Sequence, residues 1–219
     1  GSTLAIVGRV GSGKTTLARL LPRLIQADEG QILIDGISLD QIPHRSIRNA
    51  IGNVPQDTFL FSDTIRENII LGFKPVTDAD VAQAAEVSQL TPDLAVLLDG
   101  LETVVGERGV TLSGGQKQRT ALARAVIRRP RILILDDAMA SVDTRTEEEI
   151  LKRLRNVMAE RTTILIAHRI STVKDADHIV VLDEGRITEQ GTHEKLITLN
   201  GIYADMYQRQ HLADELEEL

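Results

Sequence analysis

The chain has 219 residues and a formal net charge of −7, from 25 Lys and Arg against 32 Asp and Glu, which suffices for one sizeable α/β domain or two small lobes. That balance argues against a surface built to neutralise nucleic-acid phosphates, and the absence of cysteine excludes disulfides, thiolate catalysis and Cys-based metal sites. The longest apolar run, Leu94–Leu98, has five residues, far short of the ~20 that span a bilayer, so the expectation is a soluble globular domain.

The chain opens at Gly1 and is already in an apolar run at Leu4–Val7. That start suggests a piece excised from a longer polypeptide. Leu4–Val7 reads as a buried strand leading into a Gly-rich loop and a helix from about Lys14, which Pro22 should end or kink. Asp35-Gly36, between Gln31–Ile34 and Ser38–Leu39, suits a tight hairpin turn. Ile51–Val54 is a further strand, stopped at Pro55. From about Asp57 to Thr111 β-branched runs thin out and helical periodicity takes over, so this stretch reads as a mostly helical insert. A helix over Gly115–Arg128 then stops before Pro130 and is followed by the strand Ile132–Leu135. Next come a helix near Thr146–Ala159 and the strand Thr163–Ala167. Ile179–Leu182 and Arg186–Thr188 form a hairpin through Glu184-Gly185. The segment from Thr192 is helical and ends in acidic sequence. Tyr203 and Tyr207, one turn apart, place an amphipathic C-terminal helix on the core. Strands alternating with helices imply an α/β fold with a mostly parallel sheet flanked by helices.

Gly8-Arg9-Val10-Gly11-Ser12-Gly13-Lys14-Thr15 fits the P-loop pattern, with a strand before it and a helix after it. The glycines let successive N–H groups point at phosphate oxygens, and the helix N-terminus adds its dipole. Lys14 supplies a point charge for the β- and γ-phosphates, and the Thr15 hydroxyl suits Mg²⁺. A P-loop needs a carboxylate at the tip of a neighbouring strand, and Asp136 after Ile132–Leu135 is that acid, or else a loop cap. In Leu112-Ser113-Gly114-Gly115-Gln116, Ser113 is either an ordinary helix N-cap or part of a second anion site left open by two glycines.

P-loop, LSGGQ and strand-end Asp in this order resemble the nucleotide-binding domain of ATP-binding cassette (ABC) proteins from Gly1 to about Gln210. The resemblance implies a P-loop NTPase (RecA-like, ABC ATPase) core with a helical subdomain, and ATP and Mg²⁺ as ligands. The core would comprise residues 1–56 and 119–200, the helical subdomain 57–118, and an acidic tail 201–219. Two such domains would stack head to tail. Each ATP would lie between Gly8–Thr15, with Thr16, of one domain and Leu112, Ser113, Gly114, Gly115 and Gln116 of the other. Gln56 matches the glutamine that reaches Mg²⁺ and the attacking water, and Thr15 and Asp136 match the other metal positions. Asp143 resembles a contact between the two domains, and it also reads as the N-cap of the following helix. His168 matches the switch histidine that contacts the γ-phosphate. His44, His178, His193 and His211 receive no role.

Thr103–Gly109 resembles a short exporter loop that touches the intracellular ends of transmembrane helices. Phe59–Ile69 resembles the exporter segment after the glutamine loop, where the aromatic pair either receives a coupling helix or packs within the insert. These features imply the ATPase domain of an exporter at the cytoplasmic face of a membrane, with a transmembrane domain on the same polypeptide and no nucleic-acid partner. A soluble ABC-type ATPase acting on nucleic acid or ribosomes, and an importer ATPase subunit, are the alternatives.

Two departures stand out. The acid after Asp136 is normally glutamate, whereas this chain has Asp137, shorter by one methylene. A carboxylate displaced by roughly 1 Å costs about a hundredfold in rate. With LSGGQ intact, this resembles the degenerate half of a heterodimer whose partner brings the glutamate, with slow hydrolysis at its own site; the alternative is a tolerated substitution with water filling the gap. The second departure is that ABC domains stack adenine on an aromatic upstream of the P-loop. None precedes Phe59 here, so the expectation is a truncated N-terminal β-subdomain and weakened nucleotide affinity.

Overall fold

In the computed structural model, which describes residues 1–106 and 111–217, runs of branched apolar residues pair into a six-stranded sheet. In chain order the elements are β1 (Ser2–Gly8), α1 (Lys14–Leu20), β2 (Leu33–Ile34), β3 (Ile37–Ser38), α2 (His44–Ala50), β4 (Ile51–Val54), α3 (Ile65–Ile70), α4 (Asp78–Val87) and α5 (Thr91–Val96). Then follow α6 (Gly114–Ile127), β5 (Ile132–Asp136), α7 (Thr144–Met158), β6 (Thr162–Ile166), α8 (Ile170–Val173), β7 (His178–Asp183), β8 (Arg186–Gly191), α9 (His193–Thr198) and α10 (Ile202–Glu217). The strand order is β4-β5-β6-β1-β7-β8, parallel throughout except for β8, which returns antiparallel on β7.

Period-two alternation sends successive strand residues to opposite faces. Ala5, Val7, Leu133, Leu135 and Leu165 join Leu122, Ile150, Leu154 and Tyr203 in one core. Ile6, Ile134, Ile164 and Ile166 join Ala18 of α1 and Ile47 of α2 on the other face. Burial on both sides is what makes these strands continuously apolar rather than alternating. A third cluster gathers Ile65, Ile69, Val81 and Leu90 of the helical insert around Ala123 and Ile127 of α6. Because Ala121, Leu122, Ala125 and Val126 of the same helix pack on the sheet, α6 belongs to both cores. The expected boundary at 118/119 falls inside it.

The elements lie where the sequence places them, within a few residues at their ends. The Asp35-Gly36 hairpin is present with only two residues per strand. Two short helices escape the sequence reading. Helix α2 buries Ile47 alone, and α8 has four residues, so neither carries a legible apolar period. Among the described residues no helix is long and apolar enough to cross a membrane. Glu107, Arg108 and Gly109 of the exporter-like loop lie outside the described residues.

Candidate functional site

The parallel register brings four strand ends to one edge. Val54 of β4 is level with Leu135 of β5, Asp136 with Ile166 of β6, and Ile6 of β1 with Ile166. Gln56, Asp136 and Asp137, His168 and Gly8 therefore all emerge at the carboxyl end of the sheet, where ligands of open α/β folds bind. Gln56 is exposed there.

The Gly8–Gly13 loop closes on its own backbone, with Ser12 N–H donating to Arg9 C=O at 3.2 Å. Gly13, the N-cap of α1, has φ 101°, a left-handed conformation that favours glycine. No side chain caps α1, so its first N–H groups face outward with the helix dipole behind them. Lys14 Nζ donates to Gly8 C=O and Arg9 C=O, each at 2.9 Å. Burial lowers the Lys14 ammonium from its ordinary pKa, an effect opposed by Asp137 and Asp136. Arg9, Val10, Gly11 and Thr16 are exposed along the loop. The buried Ser12 hydroxyl has no hydrogen-bond partner among the described residues, which fits a cradle for a polar guest.

Thr15 Oγ1 donates to Asp136 Oδ1 at 3.1 Å, so two of the three expected metal positions, Thr15 and Asp136 but not Gln56, meet. Among the described residues no three His, Cys, Asp or Glu side chains cluster to hold a metal. One carboxylate and one hydroxyl, with the remaining positions taken by phosphate and water, is the donor set Mg²⁺ accepts. Burial pushes the Asp136 carboxyl above its usual range, against the opposing Thr15 hydrogen bond.

Asp137 is almost wholly buried and lies 3.1 Å from His168, Oδ2 to Nε2. Desolvation raises its pKa, with His168 and Lys14 pulling the other way. Its φ is 47°, a left-handed conformation that aspartate tolerates better than most residues. The His168 side chain stays 43% exposed, so the imidazole bridges the buried acid and the open edge.

The Leu112–Gln116 segment begins α6. Leu112 is buried, while Ser113 and Gly114 are exposed. Ser113 Oγ accepts Gln116 N–H at 3.2 Å, and Gln116 Oε1 accepts Ser113 N–H at 3.0 Å. This capping box bears out Ser113 as the N-cap of α6 and satisfies the Ser113 and Gln116 N–H groups, not those of the two glycines between them. The Gly114-Gly115 pair has a second cause: a Cβ on Gly115 would sit 3.0 Å from Ser141 C=O. The glycines thus let α6 lie on the Ser141-Val142-Asp143 loop. Asp143 caps α7 by accepting Thr146 N–H at 2.9 Å, which lowers its pKa.

Several supporting residues were missed from sequence. Gln118 donates to Asp137 C=O at 3.3 Å and accepts Ser141 N–H at 2.8 Å. Asp93 of α5 receives a bidentate Arg119 at 2.8 and 2.9 Å and also Gln116 at 3.3 Å. His193, given no role, has its Nδ1 2.8 Å from the buried Tyr203 hydroxyl. The only sequence signal for the first two was their place in or facing the LSGGQ helix.

A parallel sheet with a glycine loop, lysine and hydroxyl at the start of α1 and a carboxylate at the tip of β5 defines a P-loop NTPase; β6 lies between β5 and β1, so the acid's strand is not the adjacent one that the sequence reading expected. Residues 1–140 match the ABC transporter family, and the chain belongs to that family, as its ATPase domain. It is 48% identical over 97% of its length to "Probable multidrug resistance ABC transporter ATP-binding/permease protein YheI" of Bacillus subtilis, covering 36% of that protein. It is 50% identical over 96% of its length to the "ATM1-type heavy metal exporter" of Novosphingobium aromaticivorans, covering 34% of that protein. Among solved structures, that of a bacterial Atm1-family ABC exporter with ATP bound superposes with a TM-score of 0.92 at 49% identity, covering 96% of this chain and 37% of the other. The chain therefore spans about a third of the length of the relatives it matches.

Proposed function

We propose that this chain is the ATP-binding and ATP-hydrolysing domain of an exporter. It would work at the cytoplasmic face of a membrane, joined to a transmembrane domain on the same polypeptide. The observation that carries the reading is the convergence of Gly8–Thr16, Asp136, Asp137, His168 and Gln56 on one sheet edge. Relatives named as ATP-binding/permease proteins and exporters support it.

In this reading the triphosphate lies against the α1 N-terminus, and Lys14 exchanges its two carbonyl partners for phosphate oxygens. Thr15, Asp136 and Gln56 would hold Mg²⁺, which would supply neutralisation of phosphate charge. Asp137 polarises the attacking water, and His168 contacts the γ-phosphate. Leu112, Ser113, Gly114, Gly115 and Gln116 complete the site of a second domain stacked head to tail, with Asp143 at the contact. Phe59 and Phe61, 66% and 47% exposed, meet edge-to-face at 5.0 Å, and Phe61 borders a groove of about 430 Å³ lined by Ser62, Glu67 and Leu71. That surface suits docking of a helix from the membrane domain.

The chain's own hydrolytic site is the weak one of a heterodimeric pair. Asp137 is one methylene short of a glutamate, and its Oδ2 is already engaged by His168 at 3.1 Å. The partner domain supplies the glutamate at the other site. The test is steady-state ATP turnover of the full natural polypeptide beside its Asp137→Glu variant, without a partner. A rise of about tenfold or more is expected for restoring a positioned base. An unchanged rate in a parent that already turns over well would replace the heterodimer with a homodimer.

A further inference from the structure

The C-terminal helix reaches the catalytic edge through one side chain. Its start is fixed by Glu189 of β8, whose carboxylate accepts Ile202 N–H at 2.5 Å and Tyr203 N–H at 3.1 Å. Tyr203 is fully buried, its hydroxyl meets His193, and the His193 ring also packs edge-on against Tyr207. Two turns on from Tyr203, Gln210 meets the loop after β6. Its Oε1 accepts Ile170 N–H at 2.7 Å, and its Nε2 donates to His168 C=O at 2.5 Å. An N–H needs an acceptor and a C=O needs a donor, so this pair of bonds fixes the orientation of the amide.

The opposite side of the same loop is also held. Arg169 donates to Glu147 of α7 at 2.5 Å, and the nearly buried Glu147 carboxylate also accepts the Thr172 hydroxyl. The main chain of His168-Arg169-Ile170 is thus gripped by α10, and the Arg169 side chain by α7. Of this tripeptide, His168 reaches Asp137, through its imidazole and through its backbone. Ile170 N–H is also the first donor of α8, whose N-cap Arg169 makes no side-chain cap, so Gln210 caps that helix from outside.

We propose that Gln210 is a positioning residue for His168, making the C-terminal helix part of the hydrolytic apparatus rather than packing alone. The proposal rests on the reading of His168 as the switch histidine. A glutamine at this point sets the height and rotation of the His168 peptide, and through it the distance from the imidazole to Asp137 and to the γ-phosphate. Loosening it lowers turnover without changing how ATP is held, because no contact of Gln210 involves the P-loop.

The experiment compares wild type, Gln210→Ala, Gln210→Glu and His168→Ala in the full natural polypeptide. ATP turnover is the first readout, and NMR of histidine-labelled protein is the second. Gln210→Ala is expected to lower kcat ~tenfold, the scale of a sub-ångström to ångström displacement, with KM for ATP within about twofold. The His168 ring signals should shift while those of His44, on the first turn of α2, stay in place. Gln210→Glu keeps an acceptor for Ile170 N–H and so preserves the α8 cap, but it cannot donate to His168 C=O. It should therefore show the same kcat loss and carries the test if Gln210→Ala does not fold. Wild-type kcat and unmoved His168 signals in a folded 210 variant, with His168→Ala inactive, would overturn the proposal. Wild-type turnover in His168→Ala would instead remove the reading on which it rests.

Discussion

Helices α1 and α6 both begin at glycine-rich loops, yet their first turns are held in different ways. Gly13 leaves α1 without a side-chain cap, and the neighbouring Lys14 is held only by two carbonyls of its own loop. Ser113 and Gln116 close a reciprocal box on α6, and Asp93 grips Gln116 and Arg119 from below. The first arrangement keeps its donors and its cation for a ligand. The second holds its shape through the protein's own groups and brings no cation in its first three positions. In the head-to-tail arrangement proposed above, the first end serves this chain's own nucleotide and the second that of the partner domain.

The largest effect should come from splitting these two ends by mutation. Lys14→Ala removes a charge-assisted contact to phosphate, worth roughly 1.5–3 kcal/mol, so ATP should bind this chain about a hundredfold more weakly. Ser113→Ala should leave ATP binding to the same chain within about twofold, because Ser113 belongs to the other end. It should instead cost α6 on the order of 1 kcal/mol as a lost cap and lower the turnover of the assembled transporter. Equilibrium binding of a fluorescent ATP analogue to each variant checks the pair. Equal weakening by both would mean that the two loops serve one nucleotide within one chain.

A smaller effect probes how the two ends communicate. Gln118, one turn past the glycines, reaches the backbone just after the strand-end acid of β5, at Asp137 C=O and Ser141 N–H. Gln118→Leu keeps the volume, leaves the buried Asp137 carbonyl without its donor and frees the part-buried Ser141 N–H. The expected loss is ~1–3 kcal/mol, read as a lower urea midpoint at unchanged slope. A variant as stable as wild type would show that the signature helix and the strand-end acids are mechanically independent.

Much of the edge was legible because its residues lie in contiguous motifs. A strand, a glycine loop and a lysine at fixed spacing can form few structures other than the one seen around Gly8–Thr15. Asp136 was legible because four apolar residues before it demand a buried strand. What escaped were contacts made across the fold. Gln210 meets His168 from 42 residues away, and Glu147 meets Thr172 across 25, with no spacing rule to join them. The glycines of LSGGQ were read as bare N–H groups, but their second cause is the close approach to Ser141, which only the packing reveals. His193 carried no local pattern, because its partner Tyr203 arrives from the next helix.

The smallest expected effect concerns pH, and it separates Asp136, the acid bonded to Thr15, from Asp137, the acid beside His168. Burial raises the Asp136 carboxyl above its ordinary pKa. An acid whose pKa is raised on folding binds its proton more tightly in the folded state, so its stabilising contribution is present at low pH. That contribution is lost as pH rises through the folded-state value, where the buried group must ionise. Asp136→Asn is neutral throughout and keeps an oxygen to accept the Thr15 hydroxyl at the position now measured at 3.1 Å. In metal-free protein the variant should therefore unfold at a modestly higher temperature than wild type at pH 7–8. The gap should close toward the ordinary carboxylate range, near pH 4, as wild type takes up its proton. Added Mg²⁺ with nucleotide should reverse the order at neutral pH, because only the carboxylate gains from the cation. Thermal unfolding at pH 5, 6, 7 and 8, with and without both ligands, measures this directly. An Asn variant less stable than wild type at every pH without ligand would mean that Lys14, rather than the desolvation of Asp136, dominates this edge.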